Sequence, residues 1–284
     1  MILIADSGST KTDWRVIDAN KKIHQFATQG INPYFQTEQE IAEIIRMELL
    51  PALSASALII DSEIHFYGAG CAAESKKDIV RNALHEVFSS AKLLVETDML
   101  GAARSVCGHQ PGIAAILGTG MNSCLYSGEF ILENRPSLGY ILGDEGSGAH
   151  IGKTFIQAYL NQEMPASLAE RFKSRFEAGT AEILEAVYKQ PMPNRYLASF
   201  SKFIYQNLKE QFVIDLVAGC FEAFFDKHIC RYQEHKQMKL SCVGSVAFYY
   251  SNILRAVAQN KGVNIDTIVE TPIAGLTLYH LEEN

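Results

Sequence analysis

The chain reads as a mixed α/β protein built twice on one plan, and two features lead to that reading. An apolar strand, a Gly/Ser/Thr turn and a second apolar strand open the sequence from Met1 to Ile17. A weaker copy of the same arrangement returns at 113–126, through the turn Leu117-Gly118-Thr119-Gly120-Met121-Asn122-Ser123. In both stretches the pattern then passes from strands to helices and strands in alternation, which is the signature of a sheet covered by helices.

The elements follow in order. After the first hairpin, a polar break at Asp18–Lys22 precedes a third strand near Ile23–Ala27. Ile41, Ile44, Ile45 and Leu49 have helical spacing between Thr37 and Leu53, and Thr37 followed by Glu40 predicts a capping box. Next come a strand at Glu63–Tyr67, a helix at Lys76–Ser89, a strand at Lys92–Glu96 and a helix beginning after Asp98. The second hairpin starts near Gly112, and a further strand is expected at Glu129–Glu133. A glycine-rich stretch at Gly139–Gly152 leads into helices up to about Glu234. A strand at Lys239–Val243, a Gly-Ser turn and a helix from Val246 to Gln259 follow, and Pro272–Leu281 is expected to form a short helix packing back on the first half.

Composition narrows the function. With 284 residues, 48% apolar and 20% charged, the chain suits a soluble protein of two domains. A formal net charge of -7 argues against broad binding to nucleic acid or an anionic membrane surface, while leaving room for a local anion pocket. The six cysteines form no C-x-x-C pair and no short Cys/His cluster, so a zinc or iron–sulfur centre is not expected and most thiols are read as reduced core residues. Lys11, Asp13 and Arg15 interrupt the opening apolar run, and no run of roughly 18 apolar residues occurs, so no signal peptide or membrane span is expected and the protein is placed in the cytoplasm.

Four segments could carry chemistry. A turn rich in Gly, Ser and Thr can present backbone N–H groups and hydroxyls to an anion, because glycine has no Cβ to block the approach. Asp6-Ser7-Gly8-Ser9-Thr10-Lys11-Thr12 is such a turn, with Asp6 able to hold a hydrated Mg²⁺ and Lys11 a compensating charge, although an ordinary hairpin with a polar tip has the same look. It is not a Walker loop. Asp98, after a strand and at a helix start, is either a cap or a general base, and the two phosphate turns favour the base. Gly143-Asp144-Glu145-Gly146-Ser147 could hydrogen-bond the hydroxyls of a small polar ligand, or could be a plain surface loop. Val243-Gly244-Ser245-Val246 has a strand-Gly-helix form against which a nucleoside can lie.

Taken together in this order, these motifs resemble the actin-like ATPase and sugar kinase superfamily, and within it the N-acetylglucosamine kinase-like branch of the BadF/BadG/BcrA/BcrD ATPase family. The resemblance spans nearly the whole chain. It implies two ribonuclease H-like domains, residues 1–110 and 111–271, with 272–284 returning to the first, closing over ATP and a sugar in an interdomain cleft. It implies that Asp6 organises Mg²⁺ through water and that Gly8, Ser9, Thr10 and Lys11 form one phosphate site. Gly118, Thr119 and Gly120 form the other, while Gly244, Ser245 and Val246 border the adenosine. Asp98 is the implied base for a sugar hydroxyl, most simply O6. Asn32, Thr119, Gly139, Tyr140 and Asp144 are the implied sugar contacts, with Tyr140 standing where relatives acting on N-acetylglucosamine often carry Trp. The cysteine spacing does not match the dehydratase-activating branch. The expected activity is therefore ATP-dependent phosphorylation of an amino sugar, N-acetylglucosamine foremost, with an ATP-hydrolysing regulator of a protein partner as the alternative. No nucleic-acid or membrane partner is expected, and the resemblance leaves a homodimer through the second domain open.

Overall fold

The computed structural model describes residues 1–282 apart from Ser9, Ala57, Ile59, Ile60, Ser62, Pro136 and Ala178. The chain divides into two compact units, the first comprising Met1–Gln110, Gly128–Phe130 and Thr271–Asn284, the second Pro111–Ser127 and Ile131–Glu270.

In the first unit, β1 (Ile2–Ser7), β2 (Lys11–Ile17), β3 (Ile23–Gln29), β4 (Glu63–Gly68) and β5 (Lys92–Thr97) form a sheet of order β3-β2-β1-β4-β5. The first three strands are an antiparallel meander, and β1, β4 and β5 run parallel. Leu3, Ile4 and Ala5 of β1 are fully buried, as a central strand covered on both faces requires. One face packs Trp14, Ile64, Phe66 and Val95 under α1 (Glu38–Ile44), α2 (Leu50–Ala55) and α3 (Glu74–Val87). Thr37 and Glu40 make the capping box expected at α1. Between α1 and α2 the helix widens into a π turn at Ile45–Leu49, where Pro51 has no N–H to give to the preceding turn.

The other face of this sheet carries α4 (Asp98–Cys107) and, at the end of the chain, a helix that touches β1, β2 and α4. Gly101 lets α4 approach β4, since a Cβ there would lie 2.8 Å from the Cβ of Tyr67.

In the second unit, β6 (Gly112–Leu117), β7 (Met121–Tyr126) and β8 (Ile131–Arg135) form the second meander. This third strand begins two residues later than the expected Glu129, because 128–130 form the turn, opened by Gly128 at φ +103°. Helices α5 (Gly139–Leu142), α6 (Gly148–Leu160), α7 (Ala166–Phe176), α8 (Thr180–Tyr188), α9 (Pro193–Ser199), α10 (Ser201–Gln206) and α11 (Gln211–Lys227) follow. Then come β9 (Leu240–Val243), α12 (Ser245–Tyr249), α13 (Ser251–Asn260) and β10 (Ile265–Val269). The sequence pattern does not predict strand β10. Its short IDTIV segment gains its place by pairing in parallel with β9, with a register shift between Ile265 and Ile268.

The second sheet has the order β8-β7-β6-β9-β10, the same plan as the first. An aromatic cluster of Phe155, Phe172, Phe200, Phe221, Phe224 and Phe225 fills its core. The chain closes in the first unit with α14 (Ile273–Glu282), where a Cβ on Gly275 would lie 2.1 Å from the Ser105 carbonyl oxygen of α4. Among the described residues no helix is long and apolar enough to cross a membrane. Cys71, Cys124, Cys220 and Cys242 are buried.

Candidate functional site

In the first unit the candidate residues meet where the parallel strands end. Ser7 of β1 stands opposite Gly68 of β4, and Gly68 opposite Thr97 of β5. This register puts Asp6 and Asp98 at the carboxyl ends of strands separated by one strand, about 10 Å apart at the usual interstrand spacing. Carboxyl ends of parallel strands are where ligands of open α/β sheets bind.

The turn between β1 and β2 is closed by Gly8 N–H donating to the Lys11 carbonyl at 3.0 Å. A Cβ on Gly8 would meet nothing nearer than 3.7 Å, so the turn is open to a ligand. Thr10 is exposed, and Lys11 pairs with Asp13 at 2.6 Å. Ser9 lies outside the described residues.

Asn32 is brought to the same end of the sheet by a contact between residues 24 apart that no local motif signals. The buried Ser7 hydroxyl donates to the Ile31 carbonyl at 2.9 Å, accepts the Ile31 N–H at 3.1 Å and bonds Thr12 at 2.7 Å. Asn32 Oδ1 accepts the Tyr34 N–H at 3.0 Å. Gly70, at φ +85°, leaves room for it, since a Cβ there would lie 2.4 Å from that oxygen.

Asp98 is the first residue of α4, and Thr97 takes the cap, its hydroxyl accepting the Leu100 N–H at 3.1 Å. Asp98 Oδ1 accepts the adjacent Met99 N–H at 2.8 Å, and the carboxylate also takes a bond from its own backbone N–H. The N-cap position itself is thus filled by Thr97 and not by Asp98. Both carboxylates are half-buried. Burial raises Asp98 above the usual carboxylate range, opposed by its backbone bonds. Burial, followed by the charges of Asp98 and Asp13, lifts Asp6 to about 7, against the pull of Lys11. A carboxylate whose charge is disfavoured by burial and by a second carboxylate suits a hard cation bound through one carboxylate, waters and phosphate oxygens. No group of three or more His, Cys, Asp or Glu side chains that could form a complete metal cage exists among the described residues.

In the second unit the turn 118–120 and the glycine-rich loop are one hydrogen-bonded piece. The Gly148 and Ala149 N–H groups, at the start of α6, donate to the carbonyls of Gly118 and Thr119 at 2.8 and 3.1 Å. A Cβ on Gly118 would meet nothing within 4 Å, whereas one on Gly120 would lie 3.1 Å from Asp144 Oδ2. Asp144 is buried, and its Oδ1 accepts a short hydrogen bond from Ser137. Ser137 Oγ also accepts the Gly139 N–H at 3.2 Å, and Lys153 Nζ holds the Tyr140 carbonyl at 2.9 Å, so Gly139 and Tyr140 are fixed beside Asp144 by the main chain.

Glu145, read from the sequence as a possible hydroxyl binder, is instead committed to α11. It accepts from Lys227 at 2.6 Å and from His228 at 2.8 Å. Burial alone would raise its pKa, but those two bonds outweigh it and hold the carboxyl at about 2. At the end of β9, Gly244 adopts φ +122°, and a Cβ there would lie 2.2 Å from the Leu117 carbonyl oxygen. Beside it opens a cavity of about 530 Å³ lined by Ser245 and Val246 and by Ser199, Lys202, Tyr205 and Tyr249. Its walls come from α9, α10 and α12, so no local motif signals the tyrosines.

Two sheets of one order, each with a glycine turn at the end of its first strand and a carboxylate nearby, define the actin-like class of phosphotransferases. The chain is 44% identical to a Porphyromonas gingivalis protein provisionally named an N-acetylglucosamine kinase, over 99% of both chains with a TM-score of 0.93. It thus belongs to the sugar kinase family of that protein, within the actin-like ATPase superfamily. A similarly named Chromobacterium violaceum protein shares the fold at 17% identity over 98% of both chains, with a TM-score of 0.77. A ROK family glucokinase from Streptomyces griseus, solved with glucose and AMPPNP, shares it at 15% identity and a TM-score of 0.57, over 98% of this chain and 97% of that one. No protein-family model and no curated protein matches the chain.

Proposed function

We propose that this sugar kinase transfers the γ-phosphoryl group of ATP to an amino sugar, N-acetylglucosamine first among candidates, at O6, and that it falls in the N-acetylglucosamine kinase-like branch of the BadF/BadG/BcrA/BcrD ATPase family. The observation that carries the reading is Asp98: a carboxylate at the end of a parallel strand, not used as the helix cap, raised in pKa, and close enough to Asp6 to perturb it. A carboxylate of raised pKa is the stronger base for a sugar hydroxyl. The near-full-length identity to the Porphyromonas gingivalis protein supports the choice of sugar.

The roles we assign are those the resemblance implies. Asp98 accepts the proton of the attacking hydroxyl. Asp6 would hold Mg²⁺ through water, and the ion, when bound, would supply charge neutralisation at the transferred phosphoryl group. Gly8, Ser9, Thr10 and Lys11 in the first unit, and Gly118, Thr119 and Gly120 in the second, bind phosphate oxygens through N–H groups and hydroxyls. Asn32, Thr119, Gly139, Tyr140 and Asp144 orient the sugar. Gly244, Ser245 and Val246, with the cavity between α10 and α12, take the nucleoside. Little covalent chemistry falls to the protein in such a transfer, so positioning and electrostatics supply most of the rate.

The deciding experiment offers a panel of hexoses, N-acetylglucosamine, N-acetylmuramic acid and glucosamine to the purified protein with MgATP and weighs the products. Phosphorylated N-acetylglucosamine is expected in the greatest yield, and Asp98→Asn should lower its formation about 10²–10⁴-fold while still binding ATP. Nucleotide hydrolysis indifferent to every sugar would refute the proposal.

A further inference from the structure

We infer that Glu145 is a positioning residue for the sugar site: its ion pairs with Lys227 and His228 fix the backbone from which Asp144 reaches the sugar. The inference rests on the proposed sugar-binding role of Asp144.

Asp144 stands at φ +59°, a left-handed conformation that a non-glycine residue rarely adopts and keeps only where its surroundings impose it. The restraints are visible on both sides. Glu145, the next residue, is 6% exposed with both carboxylate oxygens engaged, Oε1 by Lys227 and Oε2 by His228. Lys227 is the last residue of α11 and His228 directly follows it, so both donors sit at the end of a helix anchored in the core by Phe221, Phe224 and Phe225. Gly146, at φ +79°, brings the loop against that helix, since a Cβ there would lie 2.8 Å from the Cβ of Phe224. Ser147 N–H then closes the turn on the Asp144 carbonyl at 3.0 Å, and its hydroxyl caps α6.

The two neighbouring carboxylates are thus divided in task. That of Glu145 is spent on α11, and that of Asp144 is held by Ser137 over Gly120. Releasing Glu145 frees the left-handed residue to relax toward ordinary backbone angles, which turns the Asp144 carboxylate away. The start of α6, which holds the 118–120 turn, keeps its own core contacts through Ile151 and Phe155. The loss should therefore fall on sugar binding more than on ATP binding.

A double-mutant cycle tests the inference, with N-acetylglucosamine and MgATP as substrates. Asp144→Asn and Glu145→Gln should each raise the KM for sugar about tenfold, with the KM for ATP within about twofold, and the double variant should be no worse than Asp144→Asn alone, because the effect of Glu145 passes through Asp144. Multiplying single effects overturns the inference, as does a Glu145→Gln enzyme with unchanged sugar KM or with sugar and ATP KM raised alike. An Asp144→Asn enzyme of unchanged sugar KM strikes the sugar reading of Asp144 itself and is recognised by that variant alone. Should Glu145→Gln not fold, Lys227→Met leaves His228 on the carboxylate and should raise the sugar KM about threefold. An unchanged value there also overturns the inference.

Discussion

The Ser7 hydroxyl bonds both the N–H and the carbonyl of Ile31, at 3.1 and 2.9 Å, and so fastens the segment bearing Asn32 to the strand bearing Asp6. Ser7→Ala leaves two buried backbone groups without this partner. Urea unfolding should show a loss of about 1–3 kcal/mol, and the KM for sugar should rise while the KM for ATP changes less. A variant as stable as the parent would mean that water replaces the hydroxyl.

Gly244 is held where only glycine fits, by its angle and by the Leu117 carbonyl. Gly244→Ala should cost about 2 kcal/mol or more, read from thermal melting, and should raise the KM for ATP because the carbonyl it displaces precedes the turn at Gly118.

Tyr205 stands edge to face with Tyr249 and Tyr250 at centroid distances of 5.5 and 5.7 Å, on the wall of the proposed nucleoside cavity. Tyr205→Ala should raise the KM for ATP between about twofold and tenfold and leave that for sugar nearly constant. Steady-state kinetics with each substrate varied in turn decides it.

His280 in α14 is buried, bonds the Tyr67 hydroxyl at 2.9 Å and lies 4.0 Å from the ring of His65. Burial, then the charges of His65, Arg104 and His109, lowers its pKa from 6.5 to about 3. The unfolded chain therefore takes up a proton as the pH falls below about 6.5 and the folded chain does not until about 3, so this group's contribution to stability is full above 6.5 and lost through that window. The difference in melting temperature between the parent and His280→Gln should shrink steadily from about pH 7 to about pH 4. A constant difference would show that His280 titrates normally.

Both meanders, the carboxylate after β5 and the strand-Gly-helix turn after β9 were legible in the sequence, because each is written in neighbouring residues: alternating apolar positions, then Gly, Ser, Thr or Asp where the strand ends. The capping box at Thr37 and Glu40 was legible for the same reason. Strand β10 was not, since five residues with Asp and Thr among them become a strand only by pairing with β9. Nor could the sequence separate Asp144 from Glu145. Both are carboxylates in one glycine-rich loop, and the distinction between a held, ligand-facing group and an ion pair is made by Lys227 and His228, more than eighty residues away. The sequence by itself determined the repeated α/β plan and the places where strands end in anion-binding turns. Only the tertiary structure decided which polar side chains at those ends are consumed by the scaffold and which are left to a ligand, because hydrogen-bond partners and burial are set by residues distant in the chain and adjacent in space.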